Sequence, residues 1–161
     1  MSNFRGLHHP GVVVPDLDRA TEFYCELAGY EKVRENSWDE KHHAFNRVIG
    51  LEESAARFCM LKGVNGFLEL FEFSSPASDA EPELLAANDL GIRHLCFEVA
   101  DVAVALDKVI ELGGSRINKP VTNEYGITAT YCRDPFGNLL ELVTPTSGGP
   151  FLTLDSLQDT Q

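Results

Sequence analysis

Residues 91–102 read GIRHLCFEVADV, and residues 6–17 read GLHHPGVVVPDL. Each is an apolar, strand-like run that closes on an aspartate, and each carries a histidine inside the run. A shift of 85 residues lays His9 on His94, Val14 on Val99, Asp16 on Asp101, Ala20 on Ala105, Leu27 on Leu112 and Gly29 on Gly114. After Asp16, the residues Leu17, Ala20, Phe23, Tyr24, Leu27 and Ala28 recur at helical spacing until Gly29. After Asp101, Val102, Ala105, Leu106, Val109 and Leu112 do the same until Gly113 and Gly114. An aspartate suits an N-cap because its side chain satisfies free amide groups of the first turn, and glycine suits the stop. Each copy therefore opens as strand, cap, helix, stop.

Further along, the shift changes to 72. Glu69 falls on Glu141 and Leu70 on Leu142, so that NGFLEL matches GNLLEL, and RFCML (57–61) lies over ATYCR (129–133). Tight turns are expected around Gly63–Gly66 and around Asp134-Pro135-Phe136-Gly137. The drop from 85 to 72 leaves 13 extra residues in the first copy, placed at roughly 36–55, where a covering loop is expected. The pattern predicts strands over 6–14, 30–36, 56–62 and 66–73, then 91–100, 115–118, 126–133 and 138–144. Helices are predicted over 16–28 and 101–112. The expected fold is α+β: two βαβββ modules, residues 1–74 and 91–145, acting as one structural domain. Residues 75–90 form a linker rich in Pro, Ser and acidic residues, and 146–161 are expected to be an arm or a disordered tail.

Composition narrows the function. The 161 residues are 43% hydrophobic, enough for a core, and the formal net charge is −12. That charge disfavours nucleic acid and anionic membrane as partners. No apolar run approaches spanning length, and MSNFRG shows no signal-peptide character, so a cytoplasmic protein is expected. Cys25, Cys59, Cys96 and Cys132 form no CxxC pair and read as buried small hydrophobes rather than as a disulfide frame or thiolate zinc site.

Strand alternation puts Phe67, Glu69, Phe71 and Phe73 on one face and Leu68, Leu70 and Glu72 on the other. Both faces are largely apolar, so Glu69 and its counterpart Glu141 are expected to be at least half buried. A buried carboxylate is tolerable beside a cation and costly without one. His9 and His94 stand at equivalent places on the first strands, as Glu69 and Glu141 do on the last. Taken singly, each has an ordinary use in a strand. Recurring in register, they suggest two imidazoles and two carboxylates around one divalent ion.

These residues bring the chain close to a known family. The stretches HPGVVVPDLDRATEFYCELAGY (9–30), FLELF (67–71), HLCFEVADV (94–102) and DPFGNLLELV (134–143) resemble the vicinal oxygen chelate superfamily. It includes glyoxalase I, methylmalonyl-CoA epimerase, extradiol dioxygenases and the fosfomycin and bleomycin resistance proteins. The resemblance implies paired βαβββ modules forming a cupped, barrel-like mixed sheet with helices outside. It also implies one divalent ion (Zn, Ni, Co, Mn or Fe) held by His9, Glu69, His94 and Glu141. Register selects His9 over His8, since His9 precedes Asp16 by seven as His94 precedes Asp101. The full His/Glu/His/Glu set leans toward a lyase or isomerase like lactoylglutathione lyase, with Glu141 or Glu69 carrying the proton of an enediolate mechanism. An extradiol dioxygenase, a methylmalonyl-CoA-epimerase-like isomerase and a ligand-sequestering resistance protein stay as alternatives. The family also implies a small-molecule substrate and a homodimer.

Other residues divide between site and scaffold. Tyr131 precedes Glu141 by ten, a spacing that resembles that of a catalytic tyrosine in dioxygenases, against an ordinary strand aromatic. The first strand has Val13 where glyoxalases carry an arginine, which leaves Arg47 and Arg57 as candidate substrate contacts. Phe45, with Val48, Ile49 and Leu51, reads as an apolar cap or a satellite core, and His42 and His43 as solvated or as lid contacts. Trp38 reads as packing before substrate stacking, Glu98 as a site-facing or exposed charge, and Glu72 as solvated.

Overall fold

The computed structural model describes residues 3–146, 149, 150 and 152–157. The chain divides into two compact units, residues 1–80 and 81–161. Both contain the predicted βαβββ order, with a short helix added in the first and a short strand added in the second.

In the first unit, β1 (Gly11–Val13) leads to α1 (Leu17–Ala28), β2 (Glu31–Trp38), α2 (His43–Ile49), β3 (Ala55–Lys62) and β4 (Phe67–Ser75). The strands form one mixed sheet in the order β1-β4-β3-β2, with β1 parallel to β4 and the rest antiparallel. Asp16 caps α1 by accepting from the Arg19 amide, and Gly29 ends it in the left-handed region at φ 67°. Leu17, Ala20, Phe23 and Tyr24 of α1 are buried, as are Cys59, Leu61, Leu68 and Leu70 on β3 and β4, the two strands that α1 packs against. Each such leucine contributes about 1.5–3 kcal/mol of burial. The helix thus covers one face of the sheet and leaves the Glu69 face for other work.

The second unit repeats the plan with β5 (His94–Glu98), α3 (Val102–Glu111), β6 (Ser115–Arg116), β7 (Val121–Thr122), β8 (Thr128–Arg133) and β9 (Leu139–Thr144). Its sheet runs β5-β9-β8-β6, with β7 also on β8. Asp101 caps α3 by accepting from both the Ala103 and Val104 amides. Gly113 takes the left-handed conformation at φ 92°. Gly114 is needed for closeness, because a Cβ there would sit 2.5 Å from the Arg133 carbonyl oxygen. Val102, Leu106 and Val109 of α3 and Cys132, Leu140 and Leu142 of the sheet make the core.

The structure refines four expectations. The sheets are open, and no closed barrel forms among the described residues. The first strands are shorter than predicted, beginning at Gly11 and His94. The extra residues of the first copy are ordered as the end of β2 and as α2 rather than as a loop. The hairpin pairing also differs by one residue. Lys62 pairs with Phe67, but Arg133 pairs with Leu139, so the second turn is longer and Met60, not Cys59, occupies the place of Tyr131.

The linker holds a 3-10 turn, Pro82–Leu84, clamped by Arg133, which donates to the carbonyls of Pro82, Leu85 and Gly137 at 3.0, 2.8 and 2.5 Å. Of the tail, Ser147, Gly148, Phe151 and residues 158–161 lie outside the described residues. Leu154–Leu157 form a second 3-10 turn, whose Leu154 amide donates to Glu98 at 2.7 Å. No helix among the described residues is long and apolar enough to cross a membrane.

Candidate metal-binding and active site

Each module brings its predicted histidine and glutamate together. In the first, His9 Nε2 lies 2.9 Å from Glu69 Oε2, with side chains 31% and 15% exposed. In the second, His94 Nε2 lies 3.1 Å from Glu141 Oε2, with side chains 34% and 14% exposed. The chain arranges this through parallel pairing: β1 runs beside β4 with Gly11 opposite Glu69, and β5 beside β9 with Cys96 opposite Glu141. The histidine sits two residues before the paired position on the same face, so its ring reaches the carboxylate.

The other ring nitrogen is also engaged. His8 Nδ1 lies 2.6 Å from His9 Nδ1, and His8 stacks on Phe67 with centroids 5.1 Å apart. In the second module the Tyr131 hydroxyl lies 3.5 Å from His94 Nδ1, and the two rings meet edge to face at 5.1 Å. A partner on one imidazole nitrogen fixes which nitrogen is offered to a ligand.

Around these pairs the modules diverge. The first module's face is built of rings: Trp38 stacks on Phe45 at 4.7 Å, and Phe58 on Phe71 at 5.8 Å. Trp38 is buried and donates to Ser54 Oγ at 2.9 Å, while Asn46 of α2 bonds the Ser54 amide and hydroxyl. Trp38 is therefore packing, and Phe45 lies over it and 6.1 Å from Phe58. The second module's face carries hydrogen-bonding groups. The Cys96 thiol and the Tyr131 hydroxyl flank Glu141 from the strands on either side of it. Cys96 is open to solvent, yet crowding by its own sheet pushes its thiol up to about 12, with the Glu141 charge as the second cause. Tyr131 is raised for the same two reasons in the same order. Both therefore keep their protons near neutral pH.

Arg57 stands apart from this face. It pairs in the sheet with Glu72, on the helix side, and binds Asp18 at 2.9 Å, Glu35 at 3.0 Å and Glu72 at 3.4 Å. Glu72 is not merely solvated: it also accepts from the Leu17 amide at 3.2 Å, docking α1 on the sheet. Arg47 lies exposed in the last turn of α2. His42 caps α2 through Nδ1, accepting from the Phe45 amide at 3.3 Å. The residue the sequence reading passed over is Arg34. The irregularity between Lys32 and Arg34 turns Arg34 onto the row of Met60 and Glu69. Only the register reveals this.

The donors fit a divalent first-row ion. Imidazole nitrogen and carboxylate oxygen are its usual ligands. A spacing of about 3 Å is what two neighbouring ligands at about 2.0–2.2 Å from one ion would have. Each module supplies two such donors, and among the described residues no group of three or more His, Cys, Asp or Glu is arranged to hold a metal.

With this geometry in hand, comparison with known proteins decides the family. The model of the Glyoxalase/Bleomycin resistance protein/Dioxygenase superfamily matches residues 6–142. The chain belongs to this superfamily. It is 35% identical over 152 residues to a 2-epi-5-epi-valiolone epimerase of Actinomyces sp., covering 90% of this chain and 82% of that protein. It is 21% identical over 142 residues to a probable lactoylglutathione lyase of Synechocystis sp., covering 88% and 96%. Among solved structures, a glyoxalase family protein from Bacillus cereus matches with a TM-score of 0.79 at 23% identity, covering 89% and 95%. The fosfomycin resistance protein FosX of Listeria monocytogenes, solved with Mn(II) and sulfate, matches with a TM-score of 0.57 at 16% identity, covering 89% and 95%. The superfamily is one of small-molecule enzymes, and the balance of these relatives moves the reading from lyase to epimerase.

Proposed function

We propose that this protein is a metal-dependent epimerase that inverts a carbon next to a carbonyl, on a compound of the kind its relative's name gives, 2-epi-5-epi-valiolone. The observation that carries the reading is the His–Glu pair repeated on equivalent strands of both modules, at 2.9 and 3.1 Å. In this reading His9, Glu69, His94 and Glu141 are the residues that would hold the divalent ion. When bound, the ion would supply Lewis acidity, easing the build-up of negative charge on a carbonyl oxygen. The protein's own task is the proton. Inversion requires that a proton leave from one face of the carbon and return to the other, and two carboxylates beside the substrate provide groups that accept and return it. His8 and Tyr131 hold the two imidazoles in orientation. We further propose a homodimer, which sedimentation would test.

The test uses protein loaded with Mn(II), Zn(II) or Co(II) and given 2-epi-5-epi-valiolone in D2O. Inversion with deuterium incorporated at the inverted carbon, lost in E69Q or E141Q, supports the reading. Turnover of the hemithioacetal of methylglyoxal and glutathione instead, without epimerisation, would restore the lyase. Oxygen consumption on catechols with Fe(II) would point to ring cleavage.

A further inference from the structure

The first module's open face holds more than its His–Glu pair. Across the sheet, Glu69 on β4 pairs with Met60 on β3, and Met60 pairs with Arg34 on β2. The next row on the same face is Phe71, Phe58 and Asn36. Neighbouring strands lie about 4.8 Å apart, so Arg34 starts about 10 Å from Glu69 with a long side chain to close the gap. Phe58 and Phe71 are stacked at 28° and part-exposed. The Arg34 residue is exposed, and its side chain makes no ion pair or hydrogen bond among the described residues. The carboxylate beside it in sequence, Glu35, points to the other face and is taken by Lys32 at 2.7 Å and Arg57 at 3.0 Å. The irregularity after Lys32 produces this split, sending one cation to the helix side and the next to the site side.

A platform of two rings edged by a guanidinium and a carboxamide has a recognisable complement. The stacked rings of Phe58, Phe71 and Phe73 offer an apolar bed for the C–H groups of a small saturated ring, and a guanidinium offers paired donors to two oxygens held side by side. We propose that Arg34 and Asn36, over the Phe58–Phe71 platform, form the subsite that grips the substrate's ring by its oxygen substituents, away from the reacting carbon. The substrate class is therefore an oxygen-rich, saturated ring. This rests on the epimerase reading for its reaction but not for its binding. The second module has no such subsite: the positions of Phe58 and Phe71 are held there by Ala129 and Val143.

The test measures binding rather than turnover. The full chain, labelled with 15N, is titrated with 2-keto-myo-inositol and, separately, with myo-inositol 1-phosphate, following the arginine Nε–Hε signals. The expected result is a shift of the Arg34 signal and a loss of affinity of tenfold or more in R34A, with partial recovery in R34K, at unchanged thermal stability. A loss with both ligands assigns the gripped oxygens to hydroxyls, and a loss confined to the phosphate ester assigns them to a phosphoryl group. N36A and F58L should each weaken binding severalfold. Equal affinity of wild type and R34A for both ligands, or no binding of either, overturns the subsite. Because no epimerisation is required, the subsite and the reaction fail separately.

Discussion

The first module surrounds His9 and Glu69 with rings, and the second surrounds His94 and Glu141 with donors. Glu69 has one partner among the contacts described above, the His9 imidazole, and its strand neighbours across the sheet are Gly11 and Met60. Glu141 is held by His94 and flanked across the sheet by the polar Cys96 and Tyr131. Duplicated strands with duplicated His–Glu pairs have thus acquired different surroundings. A carboxylate with polar neighbours is suited to stay charged and in place, and one among apolar neighbours is suited to take up a proton. The comparison teaches that equivalence of position need not be equivalence of task.

The largest expected effect tests this division of labour. On the epimerase reading, E69Q should lower turnover by roughly 10²–10⁴-fold, the usual worth of a positioned acid–base group, while weakening metal binding less than E141Q does. E141Q should lose metal first, with affinity down by more than about 100-fold, and Y131F by about tenfold, as groups that orient ligands commonly cost. Kinetics and metal titration on the same preparations decide it. Equal loss of metal in both glutamine variants would make the modules equivalent and remove the distinction.

Next in size are the two cores. Leu70 and Leu142 are each almost fully buried, at 0% and 1% exposure, on the last strand of their modules. Each Leu→Ala change should cost about 2–5 kcal/mol, measured by urea unfolding. If the modules unfold as one cooperative unit, the two variants show a single shared transition. Two transitions, each moved by only its own variant, would make the modules independent.

How much of this was legible beforehand follows from the physics of each signal. The repeat, both capped helices and the placement of His9, Glu69, His94 and Glu141 on equivalent strands were readable, because register along a strand and 3.6-residue periodicity are local properties. The sequence suggested all four residues around one point; the contact of His9 with Glu69 and of His94 with Glu141 within each module came from the parallel strand pairing. The face of Arg34 was not legible, since an irregularity in β2 depends on its partner strand rather than on its own residues. Arg57 was drawn toward the site for the same reason: alternation within β3 gives two faces but does not say which one the helix covers. Residues 36–55 show no repeat to align with, so α2 and the Trp38–Phe45 stack escaped notice. The offset of Met60 against Tyr131 came from one residue in a turn, which sequence alignment without a gap conceals.

A smaller contrast lies in the caps. Asp16 accepts one amide at 2.9 Å, from Arg19, whereas Asp101 accepts two, from Ala103 at 2.8 Å and Val104 at 3.1 Å. Removing an N-cap costs about 0.5–2 kcal/mol. D101A should therefore fall in the upper part of that range and D16A in the lower, read from urea midpoints at constant slope. The reverse order would mean that tertiary packing of α1 and α3, rather than the cap, sets the difference.

The smallest expected effect separates the two arginines that tie surface segments down. Arg57 bonds carboxylates, and Arg133 bonds carbonyls. Asp18 is held below its ordinary value of 3.8 by the Arg57 hydrogen bond, and Glu35 below 4.5 by Lys32 first and Arg57 second. A carboxylate depressed in the folded state adds stability that is complete above its unfolded value and disappears as pH falls through the folded one. The Tm deficit of R57A should hence be constant near neutrality and shrink as pH drops below 4.5 and then 3.8, because acid removes the same interactions from the wild type. These groups are exposed, so the deficit is small and should shrink further in high salt. The carbonyl partners of Arg133 do not titrate, and the deficit of R133A should stay level over the same acid range. A flat R57A profile would show that the cluster contributes geometry to the β3–α1 contact and no linked stability.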